Sequence, residues 1–296
     1  MTIASTRTQR NTAAGRAARS LSGRTASVAA LAIALLWTVP TFGLLVTSFR
    51  PEKEINTSGW WNVLAHPDLT LENYRTVLAS TGQSALQPYF VNTIVITIPA
   101  VVIPIVLALL SSYALTWIDF KGRDLVFVGL FALQIVPIQV TLLPLLKLYN
   151  QTGLAGSFAS VWLSHTTFAL PLAIYLLSNF MREIPGELVE AARVDGAKHV
   201  TILLRVLMPL LTPAIAAFAI FQFLWVWNDL LVGLTFASGN AIKPVTVGLL
   251  NLSGTRGADW YLLSAGAFIS IMVPVAVFLS LQRYFVRGLL AGGLKG

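Results

Sequence analysis

Residues 91–115 read VNTIVITIPAVVIPIVLALLSSYAL, a run with no charged side chain and with two prolines, Pro99 and Pro104. About 20 apolar residues carry a helix across the hydrocarbon core of a bilayer, so this run is long enough to span. Lipid offers no partner for a backbone N–H or C=O, which leaves a helix as the structure able to hold such a run; a barrel would show short alternating strands instead.

The same length of apolar sequence recurs along the chain. The predicted spans are 26–47, 91–115, 125–146, 158–177, 212–231 and 262–281. Composition agrees, with 11% charged and 56% hydrophobic residues in a chain of 296, against about 25% charged in soluble domains. The fold class read from this is an all-α membrane protein with six transmembrane helices. A basic N-terminal region (Arg7, Arg10, Arg16, Arg19, Arg24) followed by apolar residues superficially looks like a signal peptide. The run 26–47 is longer than an h-region and no A-x-A-type site follows it, so it reads as a retained first span. The expected organisation is a disordered basic tail at 1–25, a transmembrane domain at 26–282 and a C-terminal tail at 283–296.

Orientation follows from Lys and Arg, which are retained in cytoplasmic loops. With the N-terminus inside, 14 of the 20 fall inside and 6 outside (Arg50, Lys53, Arg75, Lys147, Lys243, Arg256), whereas acidic residues divide evenly. Both termini are therefore expected in the cytoplasm. The net charge of +8 follows the gaps between apolar runs, not a basic face with interleaved aromatics, so nucleic acid is not the expected partner. Cysteine is absent, which excludes disulfides, thiolate metal sites and a Cys nucleophile.

Every predicted span contains proline: Pro40, Pro99 and Pro104, Pro137 and Pro144, Pro171, Pro213, and Pro274. Each removes an intrahelical hydrogen bond, and in membrane bundles neighbouring helices can satisfy the freed carbonyl. Asp229, near the outer end of the fifth span, is the one Asp, Glu, Lys or Arg within these segments. Intramembrane charges mark ion and proton pathways, so a proton relay is not expected. Uncharged polar and aromatic residues are plentiful: Asn92, Tyr113, Gln134, Gln139, Thr141, Gln222, Trp225, Trp227 and Asn228. Such groups suit a neutral hydroxylated solute, through hydrogen bonds and stacking of an apolar ring face on aromatics. They equally suit helix caps, the aromatic belt and interhelical bridges.

The longest internal cytoplasmic segment by this topology contains IPGELVEAARVDGAKHVTILLRVLMP at 184–209. Pro185 fits a first helical turn, Glu187 and Glu190 favour the positive end, and Gly196 suits a left-handed stop. A short helix over 186–195 is predicted, then a sharp turn and a second helix from Ala197 towards Pro209. Leu188, Ala191 and Ala192 lie close together on the first helix, and Glu187, Glu190 and Arg193 form a polar stripe. Small alanines permit close approach to another surface.

Glu190-Ala191-Ala192, Asp195-Gly196-Ala197 and Leu207-Met208-Pro209 together resemble the EAA loop of ABC-importer permeases. Met208 stands where that family usually has leucine. From about Thr47 onward the chain resembles the second permease subunit of carbohydrate importers of the maltose and α-glucoside type. That likeness is carried by Ser48-Phe49-Arg50-Pro51, Glu72-Asn73-Tyr74, Asn92-Thr93, Ile135-Val136-Pro137, Gln139-Val140-Thr141, Phe221-Gln222-Phe223, Trp227-Asn228-Asp229 and Gln282-Arg283-Tyr284-Phe285.

The resemblance implies a multi-pass protein of the bacterial cytoplasmic membrane, a half-pathway for a sugar. Its loop would be a coupling helix seated in a cytoplasmic ATPase, with Glu190, Ala191, Ala192, Asp195, Gly196, Ala197 and Pro209 forming the ATPase-coupling region. It further implies a second permease subunit as heterodimer partner, two ATP-binding-cassette ATPase subunits and an extracytoplasmic sugar-binding protein, for which 244–254 is a contact. The chain itself is expected to be no enzyme and to hold no cofactor or metal, ATP and Mg being bound by the ATPase. Gly288 and Gly293 have P-loop spacing, but Leu294 takes the place of the phosphate-binding lysine, so this is no Walker A motif. The glycine-rich tail is expected to reach the cytoplasmic assembly. A secondary transporter would show internal repeats and coupling sites, and a membrane enzyme a convergent set of groups. His66, His165 and His199 fall outside, within and inside the membrane by this topology and cannot converge.

Overall fold

The computed structural model describes residues 24–79, 81–82, 84–252 and 259–293; most of the predicted N-terminal tail and the last three residues lie outside them. The helices are α1 (Arg24–Ser48), α2 (Glu52–Thr57), α3 (Glu72–Val77), α4 (Gln87–Trp117), α5 (Arg123–Ala132), α6 (Ile138–Thr152), α7 (Phe158–Arg182), α8 (Gly186–Val194), α9 (His199–Trp227), α10 (Leu231–Phe236), α11 (Val245–Leu252) and α12 (Trp260–Gly293). Among the described residues there is no strand. Five helices, α1, α4, α7, α9 and α12, are long and apolar enough to cross a membrane.

The third predicted span differs from its expectation. Instead of one helix over 125–146, Arg123–Ile135 and Ile138–Thr152 meet at 101°, and they make a sixth span only if counted as one bent element. The cause is Pro137. Val136 before it is extended (φ −71, ψ 119), as the steric demand of the proline ring on its predecessor requires. The Leu133 carbonyl, which Pro137 cannot bond, closes a tight turn by accepting from Val136 N at 3.2 Å.

At three other prolines inside helices a side chain from another helix takes over the freed carbonyl four residues upstream. Pro99 frees Val95 O, which accepts from Trp162 Nε1 at 2.9 Å. Pro104 frees Ala100 O, which accepts from Gln222 Nε2 at 3.1 Å. Pro274 frees Ser270 O, which accepts from Trp227 Nε1 at 3.2 Å. A carbonyl left unbonded in an apolar surrounding costs several kcal/mol, so each donor fixes the position of one helix against another.

Helices α4 and α7 pack through small residues. Ala100, Ala108 and Ser112 of α4 and Ala169 and Ala173 of α7 are buried, and Ser112 Oγ donates to Ile174 O at 3.1 Å. With lipid as solvent there is little hydrophobic drive between helices, and close backbone approach supplies the packing. Helix α9 lies across both and buries Leu211, Ala214 and Phe218 against the same core. Its first turns are π-helical over Ile202–Leu207. A widened turn removes the clash of the Pro209 ring with the carbonyl four residues earlier, so the two helices predicted to meet near Pro209 form one continuous element.

Candidate functional site

Two regions hold the residues singled out in the sequence. The first is α8 with the turn after it. Gly196 has φ +79, a conformation that costs L-residues but not glycine. Around it Gly196 N donates to Arg193 O at 3.0 Å and Ala197 N to Ala192 O at 2.9 Å, the paired bonds of a Schellman stop. The predicted helix and its glycine turn are thus both present.

Helix α8 is seated on the bundle by one fully buried side chain, Val189, with Ala192 and Ala197 packed partly against the same cluster. Glu187, Leu188, Glu190, Ala191 and Asp195 are exposed, and Val194 is 88% exposed. Ala192, expected beside Leu188 and Ala191 on an outward face, turns inward. Arg193, expected in the polar stripe, donates through Nη2 to Trp117 O at 3.1 Å, the last helical carbonyl of α4. Pro209 lies inside α9, beyond the turn.

The second region is a cavity of about 780 Å³ between the broken pair α5–α6, α7 and α9. Of the nine polar and aromatic candidates, Gln134, Gln139, Thr141, Gln222 and Trp225 line it. The bend at Val136–Pro137 puts Gln134 and Gln139 on either side of the break, so a feature that interrupts the span also places two amides at the wall. Gln222, held by its bond to Ala100 O, presents from α9. Phe168 and Phe221 complete an aromatic lining with Trp225. Neither phenylalanine is among the nine polar and aromatic candidates, since nothing in an apolar run distinguishes a cavity-facing ring from a lipid-facing one.

The other four candidates lie elsewhere. Asn92 Nδ2 donates to Ala241 O (2.9 Å) and Lys243 O (3.0 Å), tying the 240–244 segment to α4. Trp227 is 1% exposed and serves Ser270. Asn228 donates to Leu224 O at 2.8 Å at the end of its own helix. Tyr113, 5% exposed, bonds His199 Nδ1 at 2.7 Å, at the end of α4 that faces α8.

Asp229 also has a local explanation. Helix α9 ends at Trp227, short of the predicted limit at 231, and Asp229 Oδ2 accepts from Val232 N (2.8 Å) and Gly233 N (3.2 Å). It caps the short helix α10. The segment 244–254, described as far as Leu252, is largely folded into the bundle: Val245, Val247, Gly248 and Leu252 are buried, Val245 N donates to Thr93 Oγ1 at 2.7 Å, and Leu250 and Asn251 are exposed.

The model of the family described as "Binding-protein-dependent transport system inner membrane component" matches residues 11–290. The chain is 52% identical over 273 residues to the osmoprotective compounds uptake permease protein GgtD of Synechocystis sp., covering 90% of this chain and 91% of that one. It is 45% identical over 258 residues to the alpha-glucoside transport system permease protein AglG of Rhizobium meliloti, covering 85% and 67%. Its fold is shared with a chain in the crystal structure of a bacterial ABC transporter involved in import of the acidic polysaccharide alginate, at TM-score 0.70 and 20% identity over 89% of this chain and 98% of that one.

Proposed function

The chain belongs to the inner-membrane components of binding-protein-dependent transport systems, and from that premise we propose that it forms half of the pathway of an ATP-driven importer for a neutral sugar, an α-glucoside or oligosaccharide. A permease of this family is a transport subunit and not an enzyme. The proposed partners are a second permease subunit, two ATP-binding-cassette ATPase subunits that bind ATP and Mg, and an extracytoplasmic sugar-binding protein. Both termini and α8 are assigned to the cytoplasm, on the strength of the Lys and Arg asymmetry.

The observation that carries the reading is α8 itself. A helix seated on the bundle by Val189 and Ala192 and closed by a glycine turn offers Leu188, Ala191 and the 88% exposed Val194 to whatever lies beyond the bundle. Leu188 and Ala191 are three residues apart on one helical face, flanked by Glu187 and Glu190. An apolar strip rimmed by acid suits a groove on a protein rather than water. On this reading Glu190, Ala191, Ala192, Asp195, Gly196 and Ala197 make the ATPase-coupling element, with Val189 and Ala192 as its seat and Pro209 in the helix that follows. Glu190→Lys reverses one rim charge at an exposed position, so insertion and the bundle are expected to survive while sugar uptake falls at least tenfold, about 1.4 kcal/mol in docking. Uptake in cells producing the variant, compared with its membrane level, decides this; undiminished uptake would remove the assignment.

Substrate contact is assigned to the cavity. Phe168, Phe221 and Trp225 offer ring faces, and Gln134 and Gln139 offer amides, which matches the two surfaces of a pyranose and includes no charge. Trp225→Ala is expected to weaken uptake by about tenfold, the scale of one lost stacking surface. Asn228→Ala, outside the cavity, should leave the apparent affinity for sugar unchanged. Equal losses in both variants would count against the cavity as the route.

A further inference from the structure

Helix α8 is joined covalently to α7 before it and α9 after it, so motion of α8 reaches those two helices through the backbone. Helix α4 has no such link. It is 86 residues away in sequence from the loop residue it bonds, and the apolar contacts between them can slide, because dispersion and burial are non-directional.

Two polar contacts remove that freedom, one on each side of the Gly196 turn. Before the turn, Arg193 donates to Trp117 O; after it, His199 Nδ1 bonds the Tyr113 hydroxyl at 2.7 Å, the rings meeting edge to face at 5.8 Å. Tyr113 and Trp117 are four residues apart and so share a face of the last turns of α4. A hydrogen bond is directional and fixes register where packing does not.

We infer that the Tyr113–His199 pair, with Arg193 on Trp117 O, is the joint that makes α4 move with α8. This rests on the reading of α8 as the element that meets an ATPase. Helix α4 is the right recipient of such motion, since its Ala100 carbonyl holds Gln222 in the wall of the cavity. Tyr113, His199 and Arg193 are then positioning residues. They touch neither sugar nor nucleotide, and their loss uncouples hydrolysis from transport.

The test is made on the reconstituted complex in proteoliposomes, with sugar uptake and ATP hydrolysis measured on the same preparation. Tyr113→Phe keeps the ring and removes the hydroxyl; His199→Ala removes the partner; His199→Asn keeps a polar atom near the Nδ1 position. Sugar moved per ATP is expected to fall at least about fivefold, the lower end of measured coupling between sites, in Tyr113→Phe and His199→Ala, with hydrolysis continuing and with partial recovery in His199→Asn. A plain loss of structure would lower both activities together, and that result, or an unchanged ratio, would overturn the joint. Because the chain has no cysteine, Tyr113→Cys with His199→Cys provides a second measurement. Bridging the two thiols with a bifunctional reagent should restore the ratio, whereas a block on uptake after bridging would mean that the two sites must separate. Failure of the unmodified chain to retain an ATPase would instead sink the reading of α8 itself.

Discussion

Gly196→Pro is expected to lower uptake roughly 30-fold while the chain still inserts. The residue sits at φ +79, and proline is confined near φ −65, so the turn cannot be kept. The substitution also removes the N–H that bonds Arg193 O at 3.0 Å. A left-handed position filled by the wrong residue costs about 1–3 kcal/mol, and a lost bond at a helix stop about 1 kcal/mol more. The membrane helices do not depend on this turn, because α7 and α9 hold to each other and to α4 through Leu177, Leu207 and Leu211. What changes is the direction in which α8 leaves α7 and returns to α9, hence the placement of Leu188, Glu190 and Ala191. A shift of about 2 kcal/mol in that placement corresponds to roughly a 30-fold loss. Uptake of labelled sugar against a membrane-fraction immunoblot separates the two outcomes. Gly196→Asn, which tolerates the left-handed region, is expected to retain most of the activity, and equal losses in the two variants would show that conformation is not what glycine supplies there.

The membrane class and most span positions were legible because they depend on length and composition alone. The Gly196 turn was legible because its bonds, Gly196 N to Arg193 O and Ala197 N to Ala192 O, are local. Prolines were another matter. The sequence shows Pro99, Pro104, Pro137 and Pro274 as equals, yet Pro137 breaks its span and the other three do not. The carbonyls freed by those three are bonded by Trp162, Gln222 and Trp227, which are 67, 122 and 43 residues away in sequence, and no local signal announces such donors. The same limit divided the polar candidates. Gln222 and Trp227 look alike on paper, five residues apart on α9, but one lines the cavity and the other is enclosed against α12. Tyr113, a pathway candidate that suits an interhelical bridge equally well by residue type, has a histidine of the loop as its partner. Composition cannot tell these roles apart, since a helix facing lipid, a cavity and a neighbour is apolar all round.

The link between Trp227 and Pro274 gives the other large effect, on stability. Trp227→Phe removes the indole N–H from Ser270 O in a site that is 1% exposed. The carbonyl is then left without the donor that Pro274 made necessary, at about 1–3 kcal/mol, and the smaller ring leaves a void worth about 1 kcal/mol more. Pro274→Ala supplies an N–H of its own and lets α12 close the bond internally, so in that background the same Trp227→Phe change should cost only the void. The two substitutions are therefore non-additive, with a coupling of about 1–2 kcal/mol, within the range measured for residues in contact. Unfolding of the four proteins in detergent, followed by near-ultraviolet circular dichroism, closes the cycle. Additive losses would mean that the indole stabilises by packing alone and that the Ser270 carbonyl was satisfied in some other way. If the coupling is found, Pro274 and the indole of Trp227 act as a pair, the donor on one helix serving the carbonyl that the proline frees on another.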